Sequence, residues 1–281
     1  MSKEKMTSET TFNKTSNKTN TVIVTNVTAF DDNYIWFIHG LPEKSAQKQI
    51  IIVDPGDSEP VIESIIQNNY LPQAIFITHH HHDHTGGIKK LVEAYHIPVY
   101  GPENEQIPQI THPLAEDQTI LFSSMGLSFN ILDVPGHTTG HIAYLGHQTL
   151  FIGDTLFAGG CGRIFEGTAE QMHDSLSKLL NLDNNTMVYC AHEYTQDNLK
   201  FAQRVEPDNK QLRQRIEQTI QLRLNDQATV PSTLELEKNT NPFLRFDIDS
   251  VKTAAEKFAQ KPLNTPAEVF KTVRYWKDTL D

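Results

Sequence analysis

The feature that most constrains this chain of 281 residues is a run of histidines, His79-His80-His81-His82-Asp83-His84. The apolar segment Ala74–Thr78 before the run predicts a buried strand, and Ile88–Tyr95 after it predicts an amphipathic helix. A histidine-rich surface tract with incidental metal affinity is the alternative, but such tracts normally lie in low-complexity sequence. The position between two regular elements therefore favours a metal site built into the fold.

Spacing within the run predicts which side chains share an ion. Alternate residues of an extended chain point the same way, so His79 and His81 can bind one ion while the histidines beside them point elsewhere. Asp83 and His84 need a turn to reach a second ion, and the glycine pair at 86–87 allows one. Imidazole and carboxylate ligands together suit zinc, iron or manganese.

Further ligands must come from other parts of the chain, because this run alone does not supply enough for two ions. Three candidates each follow an apolar, strand-like segment: His137, Asp154 and His192. Ligands at strand ends are held by a stiff scaffold on one rim of the fold. We therefore expect these three side chains to meet the histidine run.

The bulk composition limits the possible classes of protein. A hydrophobic fraction of 38% and a charged fraction of 21% suit a globular protein with a sizeable core. The net charge of -11 argues against a nucleic-acid binder or a membrane-surface protein, since both usually need a basic face. With two cysteines, no secretory signal and no membrane-spanning run, we expect a cytoplasmic protein. We also expect a monomer.

The pattern of elements divides the chain into three parts. Residues 1–20 are rich in Lys, Thr, Ser and Asn and predict a disordered N-terminal tail. Residues 21–192 alternate strand-like and helical segments, which predicts two packed sheets covered by helices. Strand-like runs stop after residue 192, so residues 193–281 predict a smaller α-helical domain. Its helices are expected at 198–205, 209–224, 251–259 and 266–280.

In the order of its candidate ligands the chain resembles the metallo-β-lactamase superfamily. The resemblance implies an α/β (α+β) fold, an αββα sandwich with metal ions on its rim. By likeness to dinuclear members it also implies two divalent ions, zinc with iron or manganese as alternatives. The implied ligands of metal 1 are His79, His81, His137 and Asp154. Those of metal 2 are Asp83, His84, His192 and the shared Asp154.

Flanking strings narrow the resemblance to the glyoxalase II (hydroxyacylglutathione hydrolase) family, from about Val22 to the C-terminus and including the helical domain. In chain order they are Ala29-Phe30-x-Asp32-Asn33-Tyr34-x-Trp36, Val53-Asp54-Pro55-Gly56, Gly153-Asp154-Thr155-Leu156-Phe157, Gly159-Gly160-Cys161-Gly162-Arg163, Ala191-His192-Glu193-Tyr194-Thr195, Val205-Glu206-Pro207-Asp208-Asn209 and Asn241-Pro242-Phe243. This family implies hydrolysis of the thioester S-D-lactoylglutathione to D-lactate and glutathione, the second step of methylglyoxal detoxification.

The same resemblance implies where a glutathione thioester binds. Its contacts would come from Arg163, Tyr194, Arg274 and Lys277. Glutathione carries two carboxylates, so an acidic protein must concentrate cations where it binds. Phe165 stands where some members have a tyrosine, and a hydrogen bond would be lost there or made by another group.

The implied mechanism is attack of a metal-bridging hydroxide on the thioester, with Asp83 orienting the hydroxide as well as binding metal. A thiolate leaves readily, since a free thiol has a pKa of about 8.5, so no dedicated general acid is needed. Cys161, between glycines in a loop, is interpreted as a small residue in a tight turn rather than a nucleophile. Asp32, Asn33 and Asp54 are expected to stabilise loops behind the site, and His141 either supports a metal ligand or has a structural role.

Two other classes of protein compete with this hypothesis. A mononuclear iron persulfide dioxygenase of the same superfamily also handles glutathione derivatives, but the long helical domain with its Arg-x-x-Lys favours the thioesterase. A metal-binding regulatory protein without catalysis would need a broken site, and no ligand position is missing.

Overall fold

A computed structural model describes residues 22–42 and 48–280; the predicted disordered tail at 1–20 lies outside the described residues. Two six-stranded sheets face each other, and helices cover the outer face of each. The predicted αββα sandwich followed by helices is therefore confirmed.

The first sheet contains six strands in chain order: β1 (Val24–Ala29), β2 (Asn33–His39), β3 (Gln49–Val53), β4 (Leu71–Phe76), β5 (Val99–Pro102) and β6 (His112–Leu114). The first three are antiparallel neighbours, and β3 to β6 run parallel. Parallel strands need crossover connections. Helix α1 (Ser58–Asn68) connects β3 to β4, and α2 (His82–Thr85) with α3 (Ile88–Tyr95) connects β4 to β5, whereas a loop connects β5 to β6.

Helices α1 and α3 are placed by their apolar faces. Asp57 caps α1 by accepting a hydrogen bond from the backbone of Glu59 (3.0 Å), which satisfies one free N–H of the first turn. Both helices pack on the outer face of the first sheet, where Ile35 and Phe37 of β2 point. The intervening Trp36 points to the opposite side, into the core between the sheets, as strand alternation requires.

The second sheet has the order β14-β13-β10-β9-β8-β7. Its strands are β7 (Thr119–Phe122), β8 (Leu127–Asp133), β9 (Ile142–Gly146), β10 (Thr149–Gly153), β13 (Met187–Cys190) and β14 (Ser232–Thr233). A small hairpin, β11 (Leu156–Phe157) with β12 (Gly160–Cys161), follows β10, and α4 (Ala169–Leu180) precedes β13.

Stacked aromatic rings fill the core between the sheets. Phe76 of β4 stacks on Tyr144 of β9, with ring centroids 4.4 Å apart. The buried hydroxyl of Tyr144 donates to the carbonyl of Ile77 (2.7 Å), so its polar atom is satisfied. This contact joins the two sheets just before the histidine run begins.

The C-terminal region is mainly helical. Its elements are α5 (Thr195–Val205), α6 (Lys210–Leu224), α7 (Leu234–Thr240), a 3₁₀ turn (Pro242–Leu244), α8 (Asp249–Ala259) and α9 (Pro266–Asp278). A reciprocal capping box between Thr265 and Glu268 starts α9. Within the described residues, no helix combines the length and the apolar character that crossing a bilayer requires.

Two expectations for this region were wrong. Strands do not stop after residue 192, because β14 pairs antiparallel with β13, Thr233 opposite Met187. Helix α7 was also missed. A two-residue strand is too short to show an alternating pattern, and α7 is a short helix in a polar stretch.

Candidate metal centre and adjoining cleft

The histidine run lies where β4 ends and α2 begins. His79 and His81 are in extended chain, and the turn that redirects Asp83 and His84 is the single helical turn of α2. Gly56 packs directly against this turn. A Cβ at position 56 would lie 1.8 Å from the carbonyl oxygen of Asp83, so only glycine fits there.

The first group of possible metal ligands is formed by His79, His81 and His137. His81 Nδ1 lies 3.1 Å from His79 Nε2 and 3.0 Å from His137 Nε2. Asp154 Oδ2 lies 3.5 Å from His137 Nε2. Ligand atoms of a tetrahedral zinc ion with bonds of about 2.0 Å are about 3.3 Å apart. The spacing of this group therefore fits one ion.

The second group is formed by Asp83, His84 and His192. Asp83 Oδ2 lies 3.3 Å from Nε2 of each histidine. Asp154 faces this group as well, with its Oδ1 3.5 Å from His84 and its Oδ2 3.4 Å from His192. One carboxylate thus stands between the two groups, where its two oxygens can serve two cations.

Unsatisfied polar atoms support a pair of divalent ions. Asp154 Oδ1 and His84 Nε2 are buried and have no hydrogen-bond partner among the described residues. Buried polar atoms are nearly always satisfied by protein, water or ions. Cations at the two groups would satisfy both atoms, so the residues present fit the metals that the sequence implied.

Carboxylates behind the site hold two of the histidines in position. Asp32 Oδ1 lies 2.7 Å from His192 Nδ1, and Asp54 Oδ2 lies 3.1 Å from His84 Nδ1. The hydrogen bond with Asp32 fixes the proton of His192 on Nδ1 and leaves Nε2 to bind metal, whereas Asp54 lies close to His84 Nδ1 without an aligned hydrogen bond. Asp54 also accepts from the hydroxyl of Thr78 (2.7 Å). Both aspartates were expected to stabilise loops behind the site, and the structure shows that each also lies against a candidate metal ligand.

Three further contacts orient the candidate ligands, and sequence reasoning missed the one from the Arg163 carbonyl. The carbonyl of Arg163 lies 2.7 Å from His137 Nδ1 and accepts its proton. His141 Nε2 accepts the backbone N–H of Asp154 (3.2 Å), so it orients the shared carboxylate through the main chain. The side-chain amide of Asn33 donates to Asp83 Oδ2 (3.0 Å). Backbone acceptors leave no signal in residue type, which is why Arg163 was expected only as a substrate contact.

Burial and neighbouring charges set the protonation of the centre. Burial would raise the pKa of the Asp154 carboxyl, but His192 and His84 hold it well below its usual range. Burial lowers the pKa of His79 well below its usual value, so its ring is neutral. His79 and Asp154 thus have the forms that bind metal, whereas neighbouring carboxylates outweigh burial and raise the pKa of His84 and His192, whose protons a metal ion would displace.

Asp83 is the least buried carboxylate of the centre, with its side chain 38% exposed. Burial alone would raise its pKa. The close rings of His192 and His84, the charge of His84 and the hydrogen bond from the Asn33 amide outweigh burial and lower the pKa far below the usual range. Asp83 is therefore an ionised group in contact with both the metal centre and solvent.

A cleft of ≈ 340 Å³ opens beside the metal centre. It is lined by His137, Asp154, Phe157, Cys161, Arg163, Phe165, Tyr194, Asp197, Asn198, Arg274 and Lys277. A larger groove of ≈ 730 Å³ follows one face of α6, but its lining residues include no histidine, cysteine, lysine or arginine. The cleft, which joins the metal centre to several cations, is the better candidate for chemistry.

All four residues expected to contact substrate line this cleft. Arg163 is exposed, and the Tyr194 ring stacks on His192, 4.7 Å between centroids. Lys277 and Arg274 enter from α9. Arg274 is only 3% exposed. Its guanidinium donates to the carbonyl of Cys161 (3.0 Å) and to Asp278 (2.9 Å), so it also anchors the cleft wall.

Phe165 and Cys161 shape the cleft in different ways. Phe165 is 62% exposed, and its ring meets those of His137 and His81 edge-on, 5.2 and 5.8 Å between centroids. Cys161 lies in strand β12, not in a loop as expected. It is buried, and burial raises the pKa of its thiol. The neutral thiol supports the interpretation that Cys161 is not a nucleophile.

Fold and site together define a member of the metallo-β-lactamase superfamily, and the sequence model described by that name matches residues 35–192. A second model, "Hydroxyacylglutathione hydrolase C-terminus", matches residues 193–280. The hydroxyacylglutathione hydrolase of Nitrosomonas europaea is 51% identical over 254 residues, 90% of this chain and 95% of that protein. That of Aliivibrio fischeri is 48% identical over 257 residues, 91% of this chain and 98% of that protein. The chain belongs to the hydroxyacylglutathione hydrolase family.

Solved structures share the fold. ETHE1 from Myxococcus xanthus superposes with a TM-score of 0.60 at 23% identity, covering 92% of this chain and 99% of that one. TTHA1623 in a di-iron-bound form gives a TM-score of 0.55 at 26% identity, covering 78% of this chain and 99% of that one.

Proposed function

We propose that this protein hydrolyses the thioester S-D-lactoylglutathione to D-lactate and glutathione. The observation that carries the proposal is the single cleft that has the metal centre at one end and Arg163, Arg274 and Lys277 along its wall. A ligand with a reactive carbonyl and a carboxylate-bearing tail matches that distribution. Roughly half-identical relatives named hydroxyacylglutathione hydrolase support the same substrate.

The proposed metal ligands are those that the sequence implied. Metal 1 would be held by His79, His81, His137 and Asp154, and metal 2 by Asp83, His84, His192 and Asp154. The atom spacings and the unsatisfied buried atoms support two ions. We propose zinc, with iron or manganese accepted by the same ligand types. TTHA1623, 26% identical, has been crystallised with two irons, which supports a pair of ions.

Bound divalent ions would supply a Lewis acid for the carbonyl and lower the pKa of water toward neutrality. Asp83 orients the attacking water, because its carboxylate is ionised and reaches solvent. Asn33 and the two neighbouring histidines keep that carboxylate fixed. A positioned carboxylate of this kind needs no reorganisation when the reaction begins.

The cleft wall binds the glutathione part. Arg163 and Lys277 attract its carboxylates, and Tyr194 and Phe157 provide an aromatic surface, with ring centroids 5.3 Å apart. Cleavage releases a thiolate, which is stable enough to leave without a proton donor. Phe165 offers no hydroxyl, so a hydrogen bond to glutathione at this position is lost or is made by another group.

A mononuclear iron dioxygenase is not favoured. The match of residues 193–280 to the hydrolase C-terminus and the two complete groups of ligands both support a hydrolase. The likeness to ETHE1, at 23% identity, concerns the fold.

The test measures hydrolysis of S-D-lactoylglutathione by metal-loaded, chelated and reloaded protein. The decrease in thioester absorbance reports the rate. We expect activity to disappear on complete metal removal and to return on reloading. Oxygen consumption with glutathione persulfide is measured in parallel. A metal-loaded protein without thioesterase activity, or one fully active after metal removal, contradicts the proposal, and oxygen consumption alone would favour the dioxygenase.

The domain boundaries, the oligomeric state and the cellular compartment are also part of the proposed function. We place the metal-binding domain at 21–192 and the helical, glutathione-binding domain at 193–281, and infer a monomer in the cytoplasm. The family matches at 35–192 and 193–280 support the boundary. Both cysteines are free and buried, which suits a reducing compartment.

A further inference from the structure

His80 is held in the way a metal-binding histidine is held, although it belongs to neither group described above. Its Nδ1 lies 2.9 Å from Oε2 of Glu105, whose side chain is only 2% exposed. A buried carboxylate therefore holds Nδ1 and leaves Nε2 on the outer side of the ring, where it can bind a metal ion in exchange for a proton. Asp32 holds His192 by the same kind of contact.

The other nitrogen of His80 faces a second carboxylate. His80 Nε2 lies 3.2 Å from Oε1 of Glu166, close to the spacing of two ligands on one tetrahedral ion, about 3.3 Å. His81 completes a group in which each residue offers one ligand atom, all within 4.8 Å of one another.

The loop that follows His137 fixes both carboxylates. The hydroxyl of Thr138 donates to the second oxygen of Glu105. The backbone N–H of Thr139 donates to Oε2 of Glu166 (3.2 Å), which leaves Oε1 directed at His80. Each carboxylate therefore has one oxygen bound to the loop and the other near the imidazole. The side chains of His80 and Glu166 are 35% and 37% exposed, so an ion can enter from solvent and keep water ligands.

We propose that His80, His81 and Glu166 form a third site for a zinc-class divalent ion at the mouth of the metal centre. It is weaker than the other two because it has three protein ligands, is open to water and shares His81 with metal 1, so the His81 ring must release its remaining N–H proton to solvent when both ions are bound. An ion there draws on His81 and lies beside Phe165, which lines the cleft. Zinc in excess of two equivalents therefore inhibits the enzyme.

The test measures zinc bound to the intact, metal-loaded protein by equilibrium dialysis against chelator-buffered zinc, with activity recorded on the same samples. His80→Asn is the central variant, because its amide can still donate to Glu105 while the outward nitrogen is lost. Glu166→Gln keeps an acceptor for Thr139 and removes the charge. His82→Asn is the matched control, an exposed histidine of the same run.

We expect three binding steps in the wild type and in His82→Asn. In His80→Asn and Glu166→Gln, the weakest step should weaken by at least about tenfold, and inhibition by excess zinc should move to higher concentration by the same factor. The proposal is overturned if the wild type binds only two ions, which makes His80 and Glu166 an ion pair alone, or if both variants keep the third step.

Discussion

Asp32 Oδ1 lies 2.7 Å from Nδ1 of His192, although the two residues are 160 positions apart in the chain. The contact joins the turn between β1 and β2 to the end of β13. The backbone N–H of Glu193 reinforces it by donating to the carbonyl of Asp32 (3.0 Å). His192 is thereby held with Nε2 directed at Asp83 and Asp154.

Removing this carboxylate should weaken one metal site. In Asp32→Ala, the ring of His192 is free to rotate and to change tautomer, so we expect affinity for one of the two tight ions to fall by about 10–100-fold. Competition with a chromophoric chelator measures it. Asp31→Ala, at the exposed neighbouring position, is the control. Equal affinities in both variants would show that the contact has no role in metal binding.

Lys277 should contribute to substrate binding more than to turnover. Lys277→Ala removes one cation from the cleft, and we expect KM to rise by about tenfold with a smaller change in kcat. Steady-state kinetics with S-D-lactoylglutathione measures both constants. Lys271→Ala removes a lysine of the same helix that pairs with Glu170. An unchanged KM in Lys277→Ala would remove this residue from the substrate site.

Arg274 should affect stability as well as binding. Its guanidinium is buried, anchors the carbonyl of Cys161 and lies over the ring of Phe243 at 5.1 Å. Arg274→Ala leaves that carbonyl without its donor, so we expect a loss of about 1–3 kcal/mol in the free energy of unfolding together with a raised KM. Urea unfolding measures the first quantity. A raised KM at wild-type stability would mean that the anchor is dispensable.

Glu237 of α7 connects the helical region to the β11–β12 hairpin beside the cleft. Its carboxylate pairs with buried Arg215 and accepts from the backbone N–H of Gly159 (2.9 Å) and the side-chain amide of Asn241 (3.1 Å). Glu237→Gln keeps the shape but leaves Arg215 as an uncompensated buried charge. We expect a loss of about 3–5 kcal/mol in the free energy of unfolding.

The matched control is Glu235→Gln, the same substitution at an exposed position of α7. It should leave the urea midpoint almost unchanged, because surface substitutions rarely matter. Similar midpoints for both variants would contradict the inference that the buried pair stabilises the fold.

Much of this architecture was predictable because periodicity reports burial. Helix Ile88–Tyr95 matches its sequence prediction residue for residue. The residues proposed as metal ligands meet because each follows a strand that ends on the same rim. Hydrophobic alternation thus located the site as well as the sheets.

Other features depend on contacts that no local pattern encodes. Strand β14 is two residues long and is stabilised by pairing with β13. Helix α7 contains Glu237, a fully buried carboxylate whose charge is compensated by Arg215. Glu105 and the carbonyl of Arg163 support histidines from distant positions. Such partners become visible only when the chain is folded.

His39 should make the stability of the protein depend on pH. Its Nε2 lies 2.8 Å from the hydroxyl of Thr25, its ring meets Tyr70 edge-on, and burial lowers its pKa to about 4. In the unfolded chain a histidine binds a proton near pH 6.5. Between about pH 6.5 and 4 the unfolded state therefore holds the extra proton, and stability falls as pH falls through this window.

The variant His39→Gln removes this titration while keeping a polar partner for Thr25. Relative to its value at pH 7, wild-type stability at pH 4.5 should fall by about 1–2 kcal/mol more than that of the variant, since partial exposure reduces the full effect. Urea unfolding at both pH values measures the difference. Protonation of the metal centre affects both proteins alike and cancels. Comparison at pH 7 and 8, above the window, should show a constant gap between them, and parallel losses down to pH 4.5 would mean that His39 titrates normally in the fold.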